Sequence, residues 1–262
     1  MAGVITNLYD GLDDAWRYES DYGGYKEDLP LILELARSTG APVLEVGAGT
    51  GRVAIPLART GLTVTAIEKS SGMSEIFEQK LAVEDGAVKS RIKLLKGEIA
   101  TVALDSRFKL AILAFNFLQL ATSRDARMNL LLQLRHALVN RGKLYIEVSM
   151  PHTDYTSLGK TGRRYSKTFY DRGRRLWAVL FQSHEYSPAT QELVLEYMYL
   201  YLRNDGNADR VTRFARLAII YPLELEGLLG EAGFVIEDRW GGFDKNPLSN
   251  ESQRMILVAA KP

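Results

Sequence analysis

The chain has 262 residues, 46% apolar and 25% charged, with 33 basic and 32 acidic side chains and a net charge of +1. That length fits one α/β domain carrying an insertion, and the charge balance argues against a dedicated nucleic-acid binder, which shows a basic excess. The absence of cysteine excludes disulfides, thiolate metal sites and cysteine nucleophiles.

Residues 1–28 set Tyr9, Trp16, Tyr18, Tyr22 and Tyr25 among Asp and Glu. They begin without a charged leader ahead of an apolar core, so no signal peptide is expected. "LPLILELARST" at 29–39 reads as an apolar helix closed by Gly40. "PVLEV" is a strand running into a glycine loop, and "GRVAIPLARTG" a helix in which Pro56 is awkward. "LTVTAIE" is a second strand by alternation and β-branching, and "SSGMSEIFEQKLAV" a helix that its serines can cap. "RIKLLKGE" is a third strand, and "FKLAILAFNFL" a fourth, apolar enough to be buried on both faces. "RDARMNLLLQLRHALVNRG" reads as a helix ended by Gly142, and "KLYIEVSM" as a fifth strand.

This alternation means βαβ units, right-handed crossovers and a doubly wound parallel sheet. The pattern then breaks. Residues 151–175 are polar and rich in Arg, Tyr and Gly, and read as a solvated loop. "RLWAVLFQSHEYS" and "QELVLEYMYLYLR", joined by the turn "SPAT", predict a β-hairpin over 176–202. "YPLELEGLLGEAGF" is a helix with a glycine stop, and "VIEDRWGGF" and "RMILVAAKP" are closing strands. No stretch approaches about 18 uninterrupted apolar residues, so no membrane span is expected and the expected location is the cytoplasm.

Chemistry enters at Gly47, Gly49 and Gly51, which lie between a strand and a helix. Such a loop lets a ligand approach the main chain at the carboxyl edge of a parallel sheet. The dinucleotide fingerprint G-x-G-x-x-G/A does not fit, because Arg52 occupies its last position. A P-loop is excluded, since no Gly-Lys-Ser/Thr follows. Glu68 ends the second strand, where a carboxylate can accept both hydroxyls of a ribose. Glu98, in "KGEIA", can accept an exocyclic adenine amine, with Ile99 packed on the ring. Together these are contacts of an adenosyl group.

On these motifs the chain resembles the class I S-adenosylmethionine-dependent methyltransferases. "LEVGAGTG" resembles their first motif, Glu68 their ribose acid, "GE" the usual Gly-Asp at the third strand, and "LAFNFLQLA" the fourth-strand end. "YESDYGGYKEDLPLILELA" resembles the N-terminal lid of the small-molecule branch, closest to members that methylate sugars, amines and other natural products, sugar N-methyltransferases among them. Glu98 and Ala48 depart from the commoner Asp and Cys. The resemblance implies a Rossmann-like, mostly parallel seven-stranded sheet whose last strand is antiparallel. The β-hairpin insertion would arch over the substrate side. Residues 1–150 would be the lid and cofactor half, 151–215 the substrate-side insertion, and 216–262 the closing helix and strands of the same domain.

The resemblance also implies a cofactor set. S-adenosyl-L-methionine, with S-adenosyl-L-homocysteine as product, would meet Tyr18, Tyr22, Glu45, Gly47, Ala48, Gly49, Gly51 and Arg52. It would further meet Glu68, Lys69, Met73, Gly97, Glu98, Ile99, Phe115, Asn116 and Phe117. A small-molecule methyl acceptor is the expected partner, with no nucleic acid and no membrane; a homodimer is compatible with the sequence. "AFNF" is not the signature of enzymes that methylate base amines. Candidates for a general base or substrate contact are His152 and Glu147, near the end of the fifth strand, and His184, which shares a strand face with Gln182 and Tyr186. His136 sits on an amphipathic helix away from the site. No histidine pair is close in sequence, so no metal is expected. Readings left open are a non-methylating reaction on the same cofactor, such as a cyclisation, an RNA or protein methyltransferase, and a non-catalytic scaffold subunit.

Overall fold

The computed structural model describes residues 11–104, 107–156 and 159–262; Tyr9 lies outside them. Two N-terminal helices lead in. Helix α1 (Leu12–Tyr22) opens with Asp13 and Asp14 in its first turn, and α2 (Leu29–Thr39) opens with Pro30, where a missing N–H costs nothing. Strand β1 (Val43–Val46) follows, buried throughout. Helix α3 (Ala54–Arg59) starts later than the sequence predicts, so Pro56 falls in its first turn, among N–H groups that have no intrahelical acceptor.

Strand β2 (Val64–Glu68) leads to α4 (Ser71–Ala82), whose cap Ser70 accepts the Met73 N–H. The short α5 (Gly86–Lys89), β3 (Ile92–Lys96) and β4 (Phe108–Leu113) come next, then a 3-10 turn at Phe117–Leu120. Helix α6 (Arg124–Ala137) stops short of Gly142, because Leu138 already pairs with Phe108 and begins β5 (Leu138–Ser149). His136 is exposed on α6.

After α7 (Thr153–Thr156) come β6 (Gly159–Lys160), β7 (Arg164–Asp171), β8 (Leu176–Ser187), β9 (Glu192–Leu202) and β10 (Ala208–Ala218). Helix α8 (Pro222–Glu231), β11 (Val235–Trp240) and β12 (Arg254–Ala260) close the chain. Seven strands form the central sheet in the order β11-β12-β5-β4-β1-β2-β3. Strand β12 runs antiparallel to both of its neighbours, and the pairs from β5 to β3 are all parallel. An apolar layer covers each face of this sheet. Among the described residues no helix is long and apolar enough to cross a membrane.

The predicted hairpin needs correction. Strands β8 and β9 do pair, but they are the centre of a five-stranded antiparallel sheet, with β10 on β9 and with β6 and β7 on β8. Two bare strands of that length would leave both edges unpaired. The covering strands are polar because their inward side chains meet a charged helix. On β7, Lys167 pairs with Asp21 of α1, and Asp171 accepts the Tyr201 hydroxyl at 2.7 Å. On β10, Arg213 reaches Asp14 at 2.8 Å. Asp14 also pairs with the buried Arg17, which donates to Tyr201 at 3.1 Å.

Helix α1 therefore has two working faces. One carries the ions to the second sheet. The other packs Ala15 on Met73 and Ile76 of α4. The two helices cross so closely that a Cβ on Gly72 would stand 2.7 Å from the Gly11 backbone.

Candidate active site

The loop after β1 is anchored where the Gly47 and Ala48 N–H groups donate to the Ile67 carbonyl at 2.9 and 3.0 Å. Gly47 has φ +75°, and a Cβ there would lie 2.0 Å from the Phe117 ring. Gly51 has φ +81°, and its Cβ would lie 2.6 Å from the Phe77 ring. The outer two glycines thus admit aromatic side chains against a left-handed backbone. The middle one contributes its N–H, donated to Glu68 Oε2 at 2.8 Å.

Glu68 ends β2 almost wholly buried, and its other oxygen accepts the Ser70 N–H at 2.7 Å. Burial raises its pKa, and the N–H groups of Ser70 and Gly49 oppose that rise. The carboxylate is fixed at the wall of a cleft of about 1740 Å³. Tyr18, Tyr22, Lys69, Met73, Gly97, Glu98, Ile99, Phe115, Asn116 and Phe117 line the same cleft, with Gly47 and Gly49. Glu98 is well exposed and pairs loosely with Lys69 at 3.3 Å. The structure therefore gathers most of the sequence-predicted cofactor set on one surface.

Four members do not line it. Ala48 and Gly51 are buried in the loop. Arg52 turns back and forms a two-pronged bond to Asp28, at 2.6 and 2.7 Å, with Asp28 fully buried. Its guanidinium also lies 5.3 and 5.1 Å from the Tyr25 and Phe115 ring centres. Desolvation opposes its charge, but Asp28 outweighs it and the guanidinium pKa is raised. Glu45 is buried on β1, with one oxygen lacking any hydrogen-bond partner. Burial pushes its pKa up to about 8, against the attraction of Arg52 and a bond from the Ala54 N–H.

Glu45 is thus neutral at pH 7 when folded and ionised when unfolded. A pKa raised by folding adds stability at low pH that is lost as pH rises through the folded value. We expect melting curves of the wild type to lose stability from the usual carboxylate range near 4.5 up to about 8. Glu45→Gln flattens that window. Identical pH slopes in the two proteins would count against a neutral Glu45.

Phe115 and Asn116 follow β4 with φ +54° and +64°, two consecutive left-handed residues without glycine. Three tyrosines surround Phe115: Tyr22 and Tyr25 at 5.3 and 5.4 Å, Tyr18 at 6.2 Å. Burial pushes the Tyr18 hydroxyl up to about 12. The Phe115 N–H donates to Glu147 Oε2 at 3.1 Å, and Arg254 donates to Oε1 at 2.9 Å. Glu147, buried and engaged through both oxygens, holds this turn and does not line the cleft. Asn116 accepts the Ser149 hydroxyl at 3.1 Å, and Gln119 ties Ser149 to the Ala218 carbonyl of β10.

The two candidate histidines, His152 and His184, both line the cleft. His152 contacts Gln253 through Nε2 at 3.0 Å. His184 on β8 is held by Thr161, which accepts its N–H at 2.9 Å and lies 3.4 Å from Nδ1, while Nε2 is buried without a partner. The Tyr155 ring lies 5.6 Å away. Sequence reasoning missed Asp28 and Arg254. Asp28 is one of several acidic residues in the stretch 1–28 and carries no motif of its own, and Arg254 meets Glu147 only through the β12–β5 register. Among the described residues no group of three or more His, Asp or Glu converges to hold a metal ion.

Comparison with known proteins finds the same fold. Residues 43–142 match the sequence model of a family described as a methyltransferase domain. The cypemycin N-terminal methyltransferase of a Streptomyces species is 22% identical over 220 residues, covering 84% of this chain and 82% of that protein. The solved CcbJ methyltransferase of Streptomyces caelestis superposes with a TM-score of 0.78 at 24% identity, covering 92% of this chain and 98% of that one. The S-adenosylmethionine-bound CalS10, an amino pentose methyltransferase of Micromonospora echinaspora involved in calicheamicin biosynthesis, gives 0.71 at 16%, covering 98% and 99%. Residues 43–142 are a methyltransferase domain.

Proposed function

We propose that this methyltransferase domain uses S-adenosyl-L-methionine to methylate a nitrogen or oxygen of a small molecule. The observation that carries the reading is the Glu68 carboxylate, set at the cleft wall by the N–H groups of Gly49 and Ser70. A carboxylate so fixed still has lone pairs for two vicinal hydroxyl donors, which a ribose supplies. The chain fits the whole cofactor as well. Gly97, Glu98, Ile99 and Met73 would hold the adenine, and Tyr18, Tyr22 and the Phe115–Phe117 turn the methionine end. When bound, the cofactor supplies a methyl group made electrophilic by its sulfonium.

The rest falls to the protein. The aromatic wall around Phe115 excludes water. The turn at Phe115 and Asn116, held by Glu147 and Ser149, fixes one side of the space where donor and acceptor meet, and alignment of that kind lowers a displacement barrier by several kcal/mol. A hydroxyl acceptor needs its proton removed; His152 and His184 are the groups on that side. An unprotonated amine needs only placement. The relatives' names, one an N-terminal methyltransferase and one an amino pentose methyltransferase, support a nitrogen acceptor.

Titration calorimetry tests the reading. S-adenosylmethionine and S-adenosylhomocysteine are expected to bind at micromolar affinity and NAD not at all. Tight NAD binding, or no binding of either adenosyl ligand, would overturn it.

A further inference from the structure

The cleft is far larger than one ligand needs. Single-ligand pockets span roughly 300–1,000 Å³, whereas this one is about 1740 Å³. Its second half is roofed by the inner face of the antiparallel sheet. There the pairings Leu193–Leu217 and Leu195–Ala215 set a flat apolar patch across β9 and β10, extended by Tyr197 and Ile219. Leu193 and Ile219 are buried, and Leu195 and Leu217 pack on them half-buried, turned to the cleft.

Charge sharpens the picture. Among the described residues lining the cleft, the only carboxylates are Glu68 and Glu98, both on the adenosyl side. The acceptor half offers His152, His184, Gln182 and Thr161 as polar groups without a carboxylate. Its cations are Arg164, and Arg216 already paired with Glu192. An ammonium group entering this half would leave water and meet no carboxylate on the lining. Burying an unpaired cation is strongly unfavourable. Apolar surface, by contrast, gains from every methylene removed from water.

Building on the methyltransferase reading, we infer that the acceptor has an apolar body lying on the Leu195–Leu217 patch and presents an uncharged nucleophile. The class is a hydrophobic weak amine or a phenol-like hydroxyl, as against a free amino sugar, an amino acid or a polyamine, whose nitrogens are protonated at neutral pH.

A homologous series tests this by binding alone. The 4-alkylanilines from methyl to butyl, unprotonated at neutral pH, are titrated into protein saturated with S-adenosylhomocysteine and into protein without it. Each added methylene is expected to tighten Kd about fourfold, the equivalent of about 0.8 kcal/mol. The matching 4-alkylbenzylamines, which are protonated, bind at least about tenfold more weakly. Leu195→Asn and Leu217→Asn reduce the chain-length slope while the nucleoside affinity stays unchanged, which separates loss of the patch from misfolding. A flat series, or tighter binding of the benzylamines or of glucosamine, overturns the inference. A retained slope with no nucleoside binding overturns the cofactor reading and leaves the apolar acceptor site standing.

Discussion

Glu68→Ala weakens S-adenosylhomocysteine binding about 10- to 100-fold, read by calorimetry, and leaves the melting temperature within a few degrees of the wild type. Two losses add. The ligand's hydroxyls lose their acceptor, worth about 1.5–3 kcal/mol for hydrogen bonds to a charged group. The Gly49 and Ser70 N–H groups also lose theirs, so the loop is no longer held in the binding shape. Glu68→Gln recovers little, since its amide sets a donor against one of two N–H donors. The pH dependence follows from the same geometry. Burial raises the Glu68 pKa, and the ionised form is the one that accepts hydroxyls. Affinity is therefore full above that pKa and falls as pH drops through it, earlier than for an ordinary exposed glutamate. Unchanged affinity in Glu68→Ala would refute the ribose role.

Asp28→Ala destabilises the fold by about 3–5 kcal/mol, the cost of leaving a buried charge without its partner. For a chain of this size that is a drop of roughly 10 °C in melting temperature. Asp28 is fully buried and Arg52 nearly so, so neither charge is relieved by solvent. The double variant Asp28→Leu with Arg52→Met separates two roles. Removing both charges restores most of the stability, because the desolvation cost disappears with the attraction. It does not restore the guanidinium that lies between the Tyr25 and Phe115 rings. Cofactor affinity thus stays reduced when stability returns. If single and double variants lose the same stability, the pair is not coupled as the geometry requires.

The residues that line the cleft beside Glu68 were legible because they sit at strand ends, and strand ends are local features. Strands alternate with helices from β1 to β4, and Gly47, Glu68, Glu98 and Asn116 each lie at or just past a strand end. What escaped depends on register and tertiary contact. Glu147 reads as a candidate base until β12 brings Arg254 to it across the sheet. Arg52 reads as a cofactor contact until Asp28 claims it. Strands β7 and β10 were illegible for a different reason. Period-two reading expects apolar residues on the inward face, and here Lys167, Asp171 and Arg213 point inward because α1 presents Asp14, Arg17 and Asp21 to receive them.

Helix α1 touches both halves, giving Tyr18 and Tyr22 to the cleft and its ions to the second sheet. The apolar patch, in contrast, is made by strands that supply no residue to the adenosyl side. Substitutions at Leu195 or Leu217 alter what is accepted without altering what is donated. The ionic seam along α1 marks where that freedom ends, since a change there disturbs donor and acceptor sites together.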